Sequence, residues 1–150
     1  MAGEPSLKTR ALNYLARREH SRLELEKKLA PHAQAPTELS AVLDALEQRG
    51  FLSAQRMVEQ VVHVRRNRFG SRRIVYELRE KGIAEDLIAA ALPELKETEL
   101  DAAREVWHKK FRALPADATE RSRQMRFLLG RGFALEVIRK VLGASNNSEF

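Results

Sequence analysis

The sequence contains no cysteine. That excludes a disulfide framework, a thiolate metal site and a thiol nucleophile, and it is unremarkable for a reducing compartment. Aromatic residues make up only 6% of the chain, with a single tryptophan, and apolar residues of all kinds reach 43% against 32% charged. A chain of 150 residues with this balance can bury a core but not a generous one. Much of each helix must face water, which favours an elongated shape over a compact globule. No apolar run approaches the roughly 20 residues that a membrane-spanning helix needs, and the start, Met1-Ala2-Gly3-Glu4-Pro5-Ser6, has neither the basic nor the apolar region of a signal peptide. A cytoplasmic protein with no membrane partner is expected.

Signals of catalysis are also missing. His20, His32, His63 and His108 show no metal-ligand spacing with one another, and each reads as a surface or half-buried residue. There is no phosphate-binding glycine loop and no nucleophile elbow. Glu85-Asp86 suits a helix start, where the dipole favours carboxylates, and needs no chemistry. The expectation is a non-enzyme with no catalytic residue, no metal and no cofactor.

What the sequence does have is helical periodicity. Leu39, Val42, Leu43 and Leu46 form one stripe, Met57, Val58, Val61, Val62 and Val64 another, and Ile74, Val75 and Leu78 a third. The cleanest is Leu100, Ala103, Trp107, Phe111 and Leu114, spaced at three and four throughout, with Trp107 as a core anchor. No segment alternates convincingly as a strand, so the fold class is all-α. Ser21-Arg22-Leu23-Glu24 is a capping box, Thr98-Glu99-Leu100-Asp101 resembles one, and Pro36-Thr37 and Ser53 also suit helix starts. Gly50, Gly82 and Gly132 stand where left-handed helix C-caps need glycine, each followed by an apolar residue, Phe51, Ile83 or Phe133, suited to packing back on the last turn.

Internal repetition is the more informative pattern. Leu78, Gly82, Ile83, Leu87, Ile88, Ala91 and Leu92 recur fifty residues later as Leu128, Gly132, Phe133, Val137, Ile138, Val141 and Leu142. A fainter earlier unit runs through Leu25, Leu29, Val42, Leu43 and Leu46. Three units follow, 7–50, 51–93 and 98–143, each of three helices, with the first helix of each near 7–18, 54–68 and 99–113. Three short helices bury little alone, so the units should lean on one another as a tandem array in an elongated, curved molecule.

The formal charge is +6, and its placement matters more than its size. Residues 56–82 carry eight basic and three acidic side chains, and residues 104–132 again eight and three. Glu85, Asp86, Glu94, Glu97, Glu99 and Asp101 make the stretch between them acidic. Two basic surfaces on a partly acidic body suit a polyanion or an acidic protein partner, although the same counts fit solvated helix faces. The most specific string is Arg65-Arg66-Asn67-Arg68-Phe69-Gly70-Ser71-Arg72-Arg73-Ile74. In it, arginines end one helix, Gly70 permits a tight turn, and Arg72 and Arg73 open the next helix against its dipole. That placement costs about 0.3 to 1 kcal/mol and suggests a partner with phosphate or carboxylate groups. The third unit has a parallel cluster: Lys109, Lys110 and Arg112, then Arg121, Arg123 and Arg126, with Arg131 beside Gly132 much as Lys81 lies beside Gly82. Repeated basic corners suggest a partner that is itself repetitive, such as a nucleoprotein filament or a nucleic-acid backbone.

The run from Arg65 to Ile83, with Gly-x-Arg-Arg-Ile followed by Glu-Leu-x-x-Lys-Gly-Ile, resembles the central signature of the RecX family of regulatory proteins. Ala11-Leu12-x-Tyr14-Leu15 and Arg17 to Leu29 resemble that family's first unit, and Phe127-Leu128 with Arg131-Gly132-Phe133 its last. The resemblance spans about residues 9–142. Ser53-Ala54 stand where members often carry acidic residues, and Val61-Val62 where an aromatic is often found; neither removes the repeat core. The resemblance implies a protein, expected to be a monomer, that binds the RecA filament on DNA and inhibits recombination, coprotease activity and ATP hydrolysis by RecA. Homologous recombination and the SOS response would be modulated in consequence. The candidate contacts are Arg65, Arg66, Arg68, Arg72, Arg73 and Lys81 on one surface and Lys109, Lys110, Arg123 and Arg131 on a second. These would meet RecA carboxylates, phosphates of single-stranded or double-stranded DNA, or both. The alternative is a helix-turn-helix transcriptional regulator reading duplex DNA, against which the serial repeats stand.

Overall fold

The structure, a computed structural model, describes residues 3–143; Met1 and Ala2, with which the signal-peptide argument begins, lie outside them. Within that range there are eight α-helices and no strand: α1 (Leu7–Arg17), α2 (Arg22–Leu29), α3 (Pro36–Gln48), α4 (Ala54–Arg65), α5 (Ser71–Glu80), α6 (Glu85–Lys110), α7 (Ala118–Gly130) and α8 (Leu135–Val141). Among the described residues no helix is long and apolar enough to cross a membrane.

Local chemistry sets most of the ends. Ser21 caps α2 in a complete capping box: its side chain accepts from the Glu24 N–H, and Glu24 accepts from the Ser21 N–H at 2.8 Å. Ser53 accepts from the Arg56 N–H, and Pro36 opens α3 at a position where no amide hydrogen is needed. At the far ends of α3, α5 and α7, Gly50, Gly82 and Gly132 take φ of +81°, +78° and +88°. The next amide then bonds back to the last helical turn, Phe51 to the Leu46 carbonyl, Ile83 to Leu78 and Phe133 to Leu128. Ile83 and Phe133 bury as the pattern requires, but Phe51 is 48% exposed and Leu52 is buried instead. Leu52 also bonds to the Leu46 carbonyl, so the chain turns its following residue inward there.

Three apolar clusters succeed one another along the chain. The first is built on Leu25, Leu29, Leu43 and Leu46 of α2 and α3, the second on Val61, Ile74, Leu78 and Ile88, and the third on Leu128, Phe133, Ile138 and Ala103. They do not merge.

The second and third modules share α6, which is continuous over 26 residues despite Pro93 in its interior. Thr98 is therefore not a helix start; its hydroxyl bonds to the Glu94 and Leu95 carbonyls within the helix. An interior proline costs roughly 3 kcal/mol, and burial of Ile88 and Leu95 before the middle of the helix and of Ala102, Ala103 and Val106 after it offsets that. The helix ends at Lys110, earlier than the apolar stripe suggests. Arg112 takes φ +70°, Leu114 is exposed, and Trp107, half-buried, donates to the Oε1 of a fully buried Gln124 at 2.8 Å.

The two joints between modules are built alike. At the first, Gly82 abuts the side chain of Leu23, Lys81 pairs with Glu24 at 3.4 Å and Arg56 with Glu19 at 2.9 Å. At the second, Gly132 abuts Arg73, and Gly70 lies so close that an added Cβ would stand 2.4 Å from the Gly132 oxygen. The Gly70 N–H donates to the Arg131 carbonyl at 2.8 Å and the Arg72 N–H to the Gly132 carbonyl at 3.2 Å. Gly70 itself has φ −81°, so it is required for the close crossing of two backbones and not for a left-handed turn. Glu99, 4% exposed, completes this joint, accepting from the Ser71 hydroxyl at 2.8 Å and from the Ala134 N–H at 3.0 Å.

His20 departs from its expected surface or half-buried setting, being only 2% exposed. The Arg18 carbonyl can only accept, so the ring donates through Nδ1 and its Nε2 accepts from Lys28 at 2.9 Å. Burial pushes its pKa below the ordinary 6.5, assisted by the cations of Arg18 and Lys28 and opposed by the Arg18 carbonyl bond. For Glu24 burial works upward, but the Ser21 N–H, Arg18 and Lys81 prevail and hold it down at about 2.

The close crossing and the buried His20 and Glu24 each make a testable demand on stability. Gly70→Ala should destabilise the fold by about 1 to 3 kcal/mol through overpacking, whereas Gly130→Ala, with nothing within 4 Å of the new methyl, should stabilise α7 by about 0.5 to 1 kcal/mol; urea denaturation of both variants checks the pair. Acidification should lower stability in two stages. His20 titrates lower when folded, so its contribution is complete above 6.5 and is lost as the pH falls below that value. That of Glu24 is complete above 4.5 and lost as the pH falls towards 2. The urea midpoint against pH should lose the first stage in His20→Gln and the second in Glu24→Gln; a wild-type midpoint that stays flat between about pH 7 and about pH 5 would contradict the assignment.

Candidate functional site

The cations singled out in the sequence divide in the structure into those that hold the body together and those that no carboxylate meets. Arg65 pairs with Glu77 at 3.1 Å, across from α4 to α5. Arg66 ties α4 to α6 through Glu94 at 3.0 Å and the Thr98 hydroxyl at 3.3 Å. Lys81 is spent on Glu24 at the first joint. Arg123 lies against Glu120, 3.0 Å away on its own helix, and over the Phe111 ring. Exposed pairs of this kind add little to stability, but they hold these side chains against carboxylates of the protein itself.

The remainder gather at the second joint. Arg68, Lys109, Lys110 and Arg131 line one cleft of about 300 Å³ together with Asn67, Val106 and Phe127. Residues far apart in sequence meet there because the loop after α4, the end of α6 and the end of α7 converge where Gly70 crosses Gly132. No carboxylate lines the cleft. Its cations are held instead by π faces and a carbonyl. Arg131 sits over the rings of Phe69 and Phe127, at 5.2 and 5.3 Å, and donates to the Arg68 carbonyl at 3.0 Å. Lys110 lies 5.3 Å from the Phe127 centroid. Arg73 covers Phe69 at 4.6 Å and reaches the Gly130 carbonyl at 3.3 Å.

Such contacts orient a cation without neutralising it. Four like charges in one concavity repel, and an entering anion relieves that repulsion, so the cleft is suited to a phosphate or a carboxylate. Arg65 and Arg73 each lie four residues from Phe69, and Arg131 four from Phe127, a spacing the sequence shows, whereas the approach of Arg131 to Phe69 and of Lys110 to Phe127 depends on the crossing of the joint. Arg72, whose N–H belongs to the same joint, lies outside the cleft and lines a separate groove with Arg79 and Lys96. Among the described residues no group of histidine and carboxylate side chains could hold a metal ion.

Two family models match the chain: the second three-helix domain of RecX over residues 55–92 and the third over residues 97–142. The chain is 57% identical to the regulatory protein RecX of Leptothrix cholodnii, over 91% of this chain and 87% of that relative. It is 45% identical to the regulatory protein RecX of Chromobacterium violaceum, over 100% of this chain and 98% of the other. Among solved structures, a crystal structure of regulatory protein RecX superposes with a TM-score of 0.79 at 22% identity, covering 90% of this chain and 70% of that one. The crystal structure of RecX from Lactobacillus salivarius gives 0.77 at 20% identity, over 92% and 93%. An all-helical chain of three-helix modules that matches these relatives over nearly its whole length belongs to the RecX family of regulatory proteins.

Proposed function

We propose that the protein binds the RecA nucleoprotein filament in the cytoplasm and inhibits its recombinase, ATPase and coprotease activities, thereby modulating homologous recombination and the SOS response. Membership of the regulatory RecX family over nearly the full chain carries this reading. The junction cleft supplies chemistry that fits it. A filament of protein on DNA offers carboxylates and phosphates at regular intervals, and a cleft of four cations with no carboxylate of its own gains from either.

The mechanism is competition and state preference. An elongated body seated on the filament occupies surface that duplex DNA or a neighbouring subunit would use. It shifts the filament between states only by its difference in affinity for them. No chemical step by this chain is required. Of the cleft residues, Arg68, Lys109 and Lys110 are exposed with no ion pair among the described residues, and the contact with single-stranded DNA is assigned to the two lysines at the end of α6.

The test is RecA ATP hydrolysis on single-stranded DNA at fixed salt as the protein is titrated in, beside the Lys109→Ala/Lys110→Ala variant. The wild type should inhibit near stoichiometric ratios, and the variant should need about tenfold more protein, the equivalent of one lost charge-assisted contact. Its DNA affinity should also depend less on salt, the logarithmic slope falling by about 1.4 if both lysines neutralise a phosphate. Absence of inhibition by folded wild-type protein at saturation would overturn the proposal, and preference for one duplex sequence without any response to RecA would favour a helix-turn-helix DNA reader.

A further inference from the structure

A second concavity, of about 910 Å³, lies between α5, the middle of α6 and the start of α8, and shares no lining residue with the cleft. Its floor is apolar: Val75 and Leu92 on one side and Val137 on the other are only partly covered by the protein itself. Tyr76 at 63% exposure and Leu135 at 37% form an apolar rim. Around them stand Arg72, Lys96 and Arg139, none of which has an ion-pair partner among the described residues. Arg79 also lines the groove but is held by both oxygens of Glu85, at 2.8 and 3.0 Å. Two carboxylates belong to the lining. Glu99 has one oxygen on Ser71 and the other on the Ala134 N–H, which leaves Glu136 as the acidic group at the edge.

We infer that this groove docks an acidic peptide segment carrying apolar side chains, supplied by a protein partner. The two halves of the lining ask for different things, and one ligand chemistry meets both. Apolar side chains cover the Val75, Leu92 and Val137 floor, while carboxylates reach Arg72, Lys96 and Arg139 at its margins. An exposed tyrosine beside arginines on a partly apolar surface is also the composition enriched in protein contacts. A nucleic-acid backbone would satisfy the cations but leave the aliphatic floor exposed. A second copy of this chain brings a net +6 to a surface that is already cationic. The inference concerns a different face from the cleft and holds whichever protein supplies the segment, so it stands or falls separately from RecA inhibition.

The experiment is an NMR titration of the full chain with three probes: a synthetic peptide alternating Asp or Glu with Leu or Phe, the same peptide with Ser at every apolar position, and a single-stranded oligothymidylate. The acidic apolar peptide should shift the amides of Val75, Leu92 and Leu135. It should bind at least about tenfold more weakly to an Arg72→Ala/Arg139→Ala variant, and the Ser peptide should lose at least as much. Both replaced side chains are exposed, and the bond from the Arg72 N–H to Gly132 survives the substitution; Tyr76→Ser provides a second variant that removes rim without touching charge, and should weaken the peptide severalfold. No shift at millimolar peptide would overturn the inference. So would equal binding of the Ser peptide, which would reveal charge attraction alone, or tighter occupation of the groove by oligothymidylate. Sedimentation as a dimer that Tyr76→Ser dissociates would overturn it in favour of self-association.

Discussion

Two backbones cross at Gly70 and Gly132 with no space for a side chain on either, and the half of the molecule that carries the cleft and the groove is organised around that crossing. Two amide-to-carbonyl bonds, Gly70 to Arg131 and Arg72 to Gly132, lock it from one side. The buried carboxylate of Glu99 locks it from the other, joining Ser71 of α5 to the chain just before α8. Buried polar groups of this kind are costly unless fully satisfied, and here both carboxylate oxygens are. The cleft and the groove both exist because the joint holds α5, α6, α7 and α8 in one arrangement: loosening it would part Arg68 from Arg131 on one face and Val75 from Val137 on the other.

Charge is distributed to match. Along α4 and at the first joint, arginine and lysine are consumed by carboxylates of the neighbouring helix, as in Arg66 with Glu94 and Lys81 with Glu24. At the second joint the equivalent residue, Arg131, finds a carbonyl and two aromatic faces instead. Lys81 and Arg131 occupy corresponding positions of the repeat, each just ahead of a left-handed glycine, and each reaches back to the preceding module. One copy of the motif meets a carboxylate, and the other has only a carbonyl and aromatic faces beside its charge.

The parts that were legible in the sequence are those governed by local rules. Ser21, Ser53 and Pro36 start helices for reasons contained within four residues, and the Gly82-Ile83 and Gly132-Phe133 pairs end them likewise. The fifty-residue recurrence showed that the second and third modules would bury equivalent positions, as Leu78 and Leu128 do. What escaped depends on distant partners. Glu99 sits in an acidic stretch that reads as solvated, yet its partners lie 28 and 35 residues away. Gly70 looked like a turn residue because the strand of chain it touches is Gly132. The continuity of α6 was hidden by Pro93, whose local cost is outweighed by packing on both sides of it. The basic clusters were visible as clusters, but their sorting into paired and unpaired cations needed the three-dimensional arrangement.

A single helix of 26 residues shared by two modules rises about 39 Å, and it acts as a ruler. The first module is joined to the second through side chains and a short connection between α3 and α4, but the second and third cannot change their separation without bending a continuous hydrogen-bonded rod. Contacts made at its two ends are therefore offered to a partner at a preset distance. On a periodic partner only sites whose spacing matches can be engaged together, and each match makes the second contact an intramolecular event with a high effective concentration. Spacing, as well as chemistry, then becomes something the protein can discriminate.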